Sequence, residues 1–149
     1  MSINRRKFLG ATVLAGAGSV LKATNQPLPS KSATRTFANG KPGIGVLGVG
    51  ARGRNHVEQL LYRDDCEVVA INDIDQFSID ECNKLFTKVG KPLPKVYLDG
   101  DRGYLELLQN PAVDAIIIAT PWEWHSEMAI AGMKAGKYAA TEVSGSFSI

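Results

Sequence analysis

The sequence predicts an α/β protein of the Rossmann type, with a doubly wound parallel sheet. From about residue 43 onward, short apolar runs alternate with segments of helical periodicity, which is typical of βαβ units. The first run ends in a glycine-rich turn, Gly48–Gly53. Right-handed crossovers make such strands parallel and place helices on both faces of the sheet. Open sheets of this kind commonly have six strands. Only five are predicted here, so we expect residues 42–149 to be the truncated front part of a longer protein.

Five short apolar runs predict the strands. Each is bounded by glycine or polar residues, as buried strands of a parallel sheet usually are. The runs are Ile44–Val49, Val68–Ile71, Val96–Leu98, Ala115–Ala119 and Tyr138–Val143. The fourth run gives the clearest strand pattern of the five.

Helices are predicted between the strands. They cover about Gly53–Leu61, a segment that begins near Ser78, Tyr104–Leu108 and Met128–Ala135. Ser78 and Glu81 have the spacing of a capping box. Behind this box, the apolar residues that share one helical face are Ile79, Cys82, Leu85, Phe86 and Val89. Glycines predict the ends of the second and fourth helices, at positions 90 and 136.

The first 41 residues are predicted to be an export signal and a linker rather than part of the folded domain. Arg5-Arg6-Lys7 precedes a Gly- and Ala-rich apolar stretch, Phe8–Leu21, which Lys22 closes. This pattern is typical of a secretory leader, and the paired arginines are typical of the bacterial twin-arginine route. We therefore predict a signal peptide over residues 1–23, a disordered flexible linker over residues 24–41, and export to the periplasm. An ordinary secretory leader or an uncleaved anchor is the alternative, although the stretch is too short for a stable membrane span.

The distribution of charge argues against a nucleic-acid-binding protein. Seventeen Lys and Arg against fifteen Asp and Glu give a net charge of +2. Residues 1–40 contain six of the bases and no acid, so eleven bases and fifteen acids give the rest of the chain a charge of −4. The basic character therefore belongs to the leader and linker, and no nucleic-acid partner is predicted.

The two cysteines, Cys66 and Cys82, are predicted to be buried thiols. Neither has the CxxC or His spacing of a zinc site, so no metal site is predicted. A disulfide is the alternative in an oxidising compartment. Folding before twin-arginine export disfavours it.

The glycine turn has the G-x-G-x-x-G pattern of a dinucleotide-binding fingerprint. It follows a predicted strand and opens a helix, and Asp73 stands twenty residues after Gly53 at the end of the second strand. Gly48 permits the tight turn, Gly50 lets a pyrophosphate approach the backbone, and Gly53 lets the helix pack closely. Asp73 can accept hydrogen bonds from ribose hydroxyls and would repel a 2′-phosphate. We therefore predict bound NAD rather than NADP; a glycine turn without a cofactor is the alternative.

Three further polar residues lie around the last glycine. Arg52 and Arg54 flank it, and either could reach a phosphate, which weakens the preference for NAD over NADP. The alternative for Arg54 is a solvated helix charge. His56 lies one turn into the helix and is predicted to be a surface or packing histidine rather than a catalyst.

The loop predicted after the fourth strand, Thr120–His125, is the second candidate site. Ligands of an open parallel sheet lie beyond the carboxyl ends of its strands. Thr120-Pro121 ends the strand sharply, and Trp122 and Trp124 are costly to expose. We expect these tryptophans to line a pocket; a purely structural loop is the alternative.

Together these motifs resemble the Gfo/Idh/MocA family. The glycine turn, Asp73, Ala119-Thr120-Pro121 with His125 after it, and Ala135-Gly136-Lys137 before a strand ending in Glu142 agree with the family in order and spacing. The resemblance covers about residues 43–149. It implies an N-terminal NAD-binding domain, here residues 42–149, and a C-terminal α/β domain that supplies most of the substrate site and is absent from this chain.

Within that family, Trp122-Glu123-Trp124-His125 and Glu142-Val143 are similar to glycoside hydrolase family 109, whose members are NAD-dependent α-N-acetylgalactosaminidases. The similarity implies that NAD is contacted by Ala51, Arg52, Asp73, Trp122, Glu123, Trp124, His125, Glu142 and Val143. Dehydrogenases of the wider family commonly end the fifth strand in Glu-Lys-Pro. Here Glu142-Val143-Ser144 offers no lysine for proton transfer, and family 109 more often has proline where Ser144 stands.

An exported protein meets little free cofactor, which favours a redox-neutral reaction that returns the hydride in each turnover. We therefore predict the NAD-binding domain of an exported, sugar-acting protein, a glycosidase of the α-N-acetylgalactosaminidase kind. The alternatives are an oxidoreductase with tightly bound NAD or NADP that acts on a sugar or polyol, and a non-catalytic NAD-binding fragment. No catalytic residue is predicted, and the 149-residue chain alone is expected to be inactive.

Overall fold

A computed structural model describes residues 36–37 and 40–143, and its centre is a five-stranded parallel sheet. The strands are β1 (Gly43–Leu47), β2 (Glu67–Asn72), β3 (Lys95–Tyr97), β4 (Ala115–Ile118) and β5 (Tyr138–Thr141). Their order across the sheet is β3-β2-β1-β4-β5, and every neighbouring pair is parallel. This confirms the predicted doubly wound sheet. The predicted signal peptide and most of the predicted linker lie outside the described residues.

Four α-helices connect these strands within residues 40–143. They are α1 (Ala51–Leu61), α2 (Gln76–Lys88), α3 (Gly103–Gln109) and α4 (Trp122–Lys134), and a 3₁₀ turn, Gly100–Arg102, precedes α3. None of the four combines the length and the apolar character that crossing a membrane requires.

The sheet separates two apolar cores, because successive side chains of a strand point to opposite faces. Val46 and Leu47 are adjacent and fully buried, yet they belong to different cores. The first core lies under α1 and α2 and includes Val57, Leu61, Ile79, Cys82 and Phe86. The second lies under α3 and α4 and includes Tyr104, Leu107, Leu108, Ile118 and Met128. Helices therefore cover both faces and leave the carboxyl edge of the sheet open to a ligand.

The predicted capping box at Ser78 is wrong, because α2 begins earlier, at Gln76. Asp75 caps this helix. Its carboxylate accepts hydrogen bonds from the backbone N–H of Phe77 (3.3 Å) and of Ser78 (3.0 Å). Asp is as good an N-cap as Ser, so the aspartate nearer to the helix start takes the position. The predicted buried face and the end at Gly90, where φ is +67°, are confirmed.

The fourth helix begins six residues before the predicted Met128, at Trp122. Pro121 is its N-cap residue, with φ of −55°, an angle that the proline ring imposes and that suits entry into a helix. Glu123 lies in the first turn, where a negative charge interacts favourably with the helix dipole. The segment Trp122–His125, predicted to be a loop, is therefore helical, and its side chains point in different directions around the helix axis.

Both cysteines are buried free thiols, as predicted. Cys66 stands before β2, and Cys82 lies on the buried face of α2. Burial is the main cause that raises the pKa of both thiols, and that of Cys82 reaches about 12. These are packing residues of the first core.

Candidate functional site

The glycine turn that follows β1 is shaped by two close backbone approaches. Gly48 has φ of +81°, and a Cβ there would lie 2.9 Å from backbone atoms of Ala119 and Thr120. A Cβ on Gly53 would lie 1.9 Å from the carbonyl oxygen of Gly48. Both glycines are therefore required by the fold itself, the first for conformation and the second for the packing of α1 against the turn.

Gly50 is different, because none of the residues that the structure describes requires a glycine there. Its φ of −58° is open to any residue, and a Cβ at this position would meet no atom of the described residues within 4 Å. Gly50 is also the N-cap of α1 and offers no side chain to the N–H groups of the first turn. The geometry leaves room for a group outside the protein to approach the backbone and those N–H groups, which favour an anion.

Asp73 lies directly beside this turn. It follows β2, and its Oδ2 accepts a hydrogen bond of 2.7 Å from the backbone N–H of Val49, in the middle of the glycine turn. Its Oδ1 accepts a hydrogen bond of 3.0 Å from the backbone N–H of Asp75. Each carboxylate oxygen has a further lone pair available, so Asp73 can still accept hydrogen bonds from a ligand. The structure therefore brings the predicted acid and the predicted turn together.

A cleft of about 290 Å³ opens at the carboxyl edge of the sheet, beside these residues. Its lining comprises Gly48, Gly50, Asn72, Asp73, Ile74, Ser78, Gly100, Asp101, Ala119, Thr120, Pro121, Trp124 and Met128. β1 and β4 are neighbours here, although they are not consecutive in the sequence. A ligand crevice is expected at such a point, where the strand order reverses.

Several lining residues were missed by the sequence analysis. Ile74 follows Asp73 directly, and Gly100 and Asp101 come just after β3. The rule that ligands lie beyond the carboxyl ends of strands could have found these three residues. Ser78 had no such signal, since its place in the cleft depends on where α2 starts.

A second cavity of about 340 Å³ lies on the β5 side of the same edge. Its lining comprises Arg52, Ala119, Thr120, Trp122, His125, Glu142 and Val143. Six of these seven residues were predicted from the sequence as cofactor contacts. The cavity and the cleft share Ala119 and Thr120, so they are adjacent along the sheet edge.

Because α4 begins at Trp122, the side chains of Trp122–His125 are divided between the cleft and the second cavity. Trp124 lines the cleft, whereas Trp122 lines the second cavity and is 52% exposed. His125 is fully buried, and its Nε2 lies 2.9 Å from the carbonyl oxygen of Thr120. Glu123 is exposed on the first turn. The hydrogen bond of His125 holds the strand end of β4 against α4, beneath the second cavity.

Glu142 carries the most perturbed carboxylate of the site. Its Oε1 lies 2.8 Å from Nε of Arg52 and 2.5 Å from Nε2 of His56, both on α1. The Arg52 and His56 hydrogen bonds lower the pKa of this carboxyl to about 2. His56, predicted as a surface or packing residue, is thus a polar packing residue at the second cavity. Glu142 is ionised at neutral pH.

The chain is similar to a known protein family over the whole of its described sheet. Residues 43–142 match the model of the Gfo/Idh/MocA oxidoreductase family, which is described as an NAD-binding Rossmann fold. The match spans well over half of the chain. The chain belongs to the Gfo/Idh/MocA family.

Similar curated proteins are named for glycosyl hydrolase family 109 or for an activity on sugars. A glycosyl hydrolase family 109 protein of Parabacteroides distasonis is 40% identical over 97% of this chain and 33% of its own length. An alpha-N-acetylgalactosaminidase of Shewanella oneidensis is 37% identical over 95% of this chain and 34% of its own length. The chain therefore spans about a third of the length of these Gfo/Idh/MocA relatives.

Solved Gfo/Idh/MocA-like structures share the fold. A probable dehydrogenase from Thermotoga maritima has a TM-score of 0.60 and 34% identity, over 71% of this chain and 29% of that one. A myo-inositol dehydrogenase from Lactobacillus casei, in complex with NAD(H) and myo-inositol, has a TM-score of 0.60 and 28% identity over the same shares. These relatives agree with the NAD-binding Rossmann fold of the family.

The residues present fit NAD, the cofactor of the Gfo/Idh/MocA domain. The space beside Gly50 and the uncapped start of α1 suit the diphosphate, and Asp73 suits the hydroxyls of the adenosine ribose. With the diphosphate at the turn and the adenosine in the cleft, the other end of the dinucleotide lies on the β5 side. A dinucleotide in this position would have its nicotinamide end at the second cavity.

The two arginines beside Gly53 do not line the cleft that contains Asp73. Arg52 is paired with Glu142, and Nη1 of Arg54 donates a hydrogen bond of 3.2 Å to the carbonyl oxygen of Val49. Arg54 lines a separate depression between α1 and α2. Arg52 is therefore engaged at the second cavity, and Arg54 is engaged at the glycine turn itself.

In residues 36–37 and 40–143, no three His, Cys, Asp or Glu side chains are grouped so that they could hold a metal ion.

Proposed function

We propose that the protein is an exported NAD-dependent glycosidase of the family 109 type, and that residues 43–143 hold its NAD. The observation that carries this proposal is the second cavity, where Trp122, His125, Glu142 and Val143 meet. These are the residues on which the similarity to family 109 rests, and they come from two separate segments of the chain. Curated relatives of that name at 36–40% identity support the same assignment.

The substrate class is a small glycoside, with an α-N-acetylgalactosaminide as the first candidate. This candidate substrate is taken from the name of the Shewanella oneidensis relative. Since the chain spans about a third of that relative, the residues that recognise the sugar are expected outside residues 43–143.

The residues of this chain bind and orient the cofactor. The first turn of α1 offers N–H groups to the diphosphate, and the bare Cα of Gly50 lets it approach. Asp73 accepts hydrogen bonds from the ribose hydroxyls and disfavours a 2′-phosphate. When bound, NAD supplies reversible hydride transfer, which permits elimination and addition of water at a sugar carbon without net redox change.

Glu142 supplies a fixed negative charge at the nicotinamide end. With a pKa of about 2 it does not take up a proton near neutral pH, so it is an acceptor of hydrogen bonds and not a general acid. Val143 stands where the wider family has lysine, so this chain offers no proton donor at that position. The proton-transfer groups of the reaction are therefore expected in the substrate domain.

A second candidate function is an oxidoreductase that acts on a sugar or polyol with tightly bound cofactor. The likeness to the Lactobacillus casei enzyme, whose structure holds NAD(H) and myo-inositol, favours it. The missing lysine after Glu142 argues against it. A non-catalytic NAD-binding fragment is the third alternative.

The experiment is a paired assay on the protein expressed from its complete gene. A chromogenic α-N-acetylgalactosaminide reports glycosidase activity, and NADH absorbance reports net redox change. Release of the chromophore without net NADH supports the proposal. Net NADH formed from free sugars or polyols would favour the oxidoreductase, and NAD binding without either activity would favour the fragment.

The proposed export depends on Arg5 and Arg6, which lie outside the described residues. A fusion of residues 1–41 to a reporter that folds in the cytoplasm tests the route. We expect the reporter to be found in the periplasm, and we expect export to be lost when both arginines are replaced by lysine. Export that persists in the Arg5→Lys/Arg6→Lys variant would point to an ordinary secretory leader.

A further inference from the structure

His56 makes a contact that neither the fold nor the cofactor turn explains. It lies on α1, and its Nε2 is 2.5 Å from Oε1 of Glu142, 86 positions later in the chain. The two side chains are only 25% and 15% exposed. An ionised carboxylate can only accept hydrogen bonds, so the imidazole Nε2 carries the proton and donates it.

The two oxygens of Glu142 are used unequally. Oε1 accepts hydrogen bonds from both His56 and Arg52. Within the part of the chain that the structure describes, Oε2 accepts a longer hydrogen bond of 3.3 Å, from the backbone N–H of Val143. Because Glu142 also lines the second cavity, Oε2 is the oxygen with capacity for a ligand N–H or O–H group.

Of the two donors, Arg52 is the more exposed and the less able to hold this carboxylate in one orientation. Its side chain is 63% exposed, and exposed ion pairs contribute little because solvent and salt screen them. The imidazole is shorter, stiffer and more buried, and a hydrogen bond to a charged group in such a place contributes more. Although the Arg52 hydrogen bond lowers the pKa of Glu142 more, His56 is the more buried and less mobile of the two donors that orient this carboxylate.

We propose that His56 is a positioning residue for the nicotinamide end of the NAD site. By holding Oε1 against α1, it presents Oε2 of Glu142 to the second cavity, where it accepts a hydrogen bond from the carboxamide N–H of the nicotinamide. His56 touches neither the cofactor nor the substrate and acts only through Glu142. The inference rests on NAD lying across the cleft and the second cavity, and it does not depend on the glycosidase reaction.

The test compares two ligands and three variants of the protein. NAD and ADP-ribose share the adenosine, the diphosphate and the second ribose, but ADP-ribose lacks the nicotinamide. His56→Leu removes the donor, His56→Gln places an amide N–H close to the position of Nε2, and His56→Asn is an equally polar control that is too short to reach Glu142. Dissociation constants are measured by calorimetry, and thermal unfolding checks the fold.

We expect His56→Leu and His56→Asn to weaken NAD binding about tenfold, with ADP-ribose affinity changed by less than about twofold. His56→Gln should restore most of the NAD affinity. Adding His56→Leu to a Glu142→Ala variant should cause no further loss, because the effect passes through that carboxylate.

Several results would overturn the inference. Equal weakening of NAD and ADP-ribose would make His56 a structural tie between α1 and β5, as would variants that fail to fold. Unchanged NAD affinity in His56→Leu would show that Arg52 is sufficient to hold Glu142. If the unaltered protein bound NAD no more tightly than ADP-ribose, the second cavity would not be a nicotinamide site. If it bound neither ligand, the assignment of NAD as the cofactor would also be overturned.

Discussion

The carboxylate of Asp73 accepts a hydrogen bond of 2.7 Å from the backbone N–H of Val49, so the end of β2 is tied to the middle of the glycine turn. The contact needs no ligand. In the proposed cofactor site Asp73 therefore has two tasks, since it shapes the turn for the diphosphate and offers lone pairs to the ribose. The turn is prepared before the dinucleotide arrives, which lowers the ordering cost of binding.

The first prediction concerns this double task. Asp73→Ala removes the carboxylate that accepts hydrogen bonds from the Val49 N–H of the turn and from two ribose hydroxyls. Because each hydrogen bond to a charged group contributes ~1.5–3 kcal/mol, NAD affinity should fall about 100-fold or more. Asp73→Asn should lie between Ala and the unaltered protein and should discriminate less against NADP. Calorimetric titration with both dinucleotides measures this.

Asp80→Ala is the matched control for Asp73, because it removes one carboxylate from the exposed side of α2, where Asp80 bonds Gln76. It should leave NAD affinity within about twofold of the unaltered value. Normal NAD binding by Asp73→Ala would remove this residue from the cofactor site.

The second prediction separates the roles of two glycines of the turn, Gly50 and Gly53. Gly50→Ala should change the free energy of unfolding by only about 1 kcal/mol, because its Cβ meets open space, yet it should weaken NAD binding at least about tenfold by obstructing the diphosphate. Gly53→Ala should destabilise the fold itself, since its Cβ would lie 1.9 Å from the Gly48 oxygen. Chemical denaturation and NAD titration on both variants distinguish the two effects. Undiminished NAD affinity in Gly50→Ala would contradict the assignment of this space to the cofactor.

What the sequence predicted, and what it did not, follows from the range of the interactions involved. The strands and the Gly48-to-Asp73 fingerprint were predictable, because local periodicity and a fixed spacing specify them. The contact between His56 and Glu142 was not, because nothing local links residues that the sheet order brings together. The start of α4 was missed for another reason. Thr-Pro was interpreted as the beginning of a loop, whereas Pro121 is the N-cap residue of a helix.

The third prediction is a pH dependence of stability. Arg52 and His56 lower the pKa of Glu142 from its usual 4.5 to about 2. Because the folded pKa lies below the unfolded one, the contribution of ionised Glu142 is present above about pH 4.5 and is lost as the pH falls towards 2. The difference in Tm between the unaltered protein and Glu142→Gln should therefore shrink across this interval. Thermal unfolding followed by circular dichroism measures it.

Glu106→Gln, on the exposed side of α3, makes the same change of charge and is the matched control for Glu142. Its Tm should stay close to that of the unaltered protein above about pH 4.5, because surface substitutions rarely exceed about 0.5 kcal/mol. A Glu142→Gln variant that also matched the unaltered protein at neutral pH would show that the Arg52–Glu142–His56 contacts do not stabilise the fold.

The fourth prediction concerns the two cysteines. The thiolate is the reactive form, and burial raises the pKa of Cys66 and raises that of Cys82 to about 12. In the folded protein at mildly alkaline pH, a thiol reagent should therefore label neither residue at an appreciable rate. Cys82, with no exposed surface, should react more slowly than Cys66, which is 8% exposed. Both should react at once after unfolding in guanidinium.

Cys66→Ser isolates the labelling of Cys82, which reports how firmly α2 packs on the sheet. Labelling of Cys82 then requires opening of the first core, so at low reagent concentration its rate should be the rate for the exposed thiol multiplied by the fraction of molecules in the open state, and it should fall when the fold is stabilised. Rapid labelling of Cys82 in the folded protein would show that α2 leaves the sheet readily. That result would also weaken the account of the cofactor site, because α2 carries Ser78 of the cleft and is capped by Asp75, whose N–H group holds Asp73.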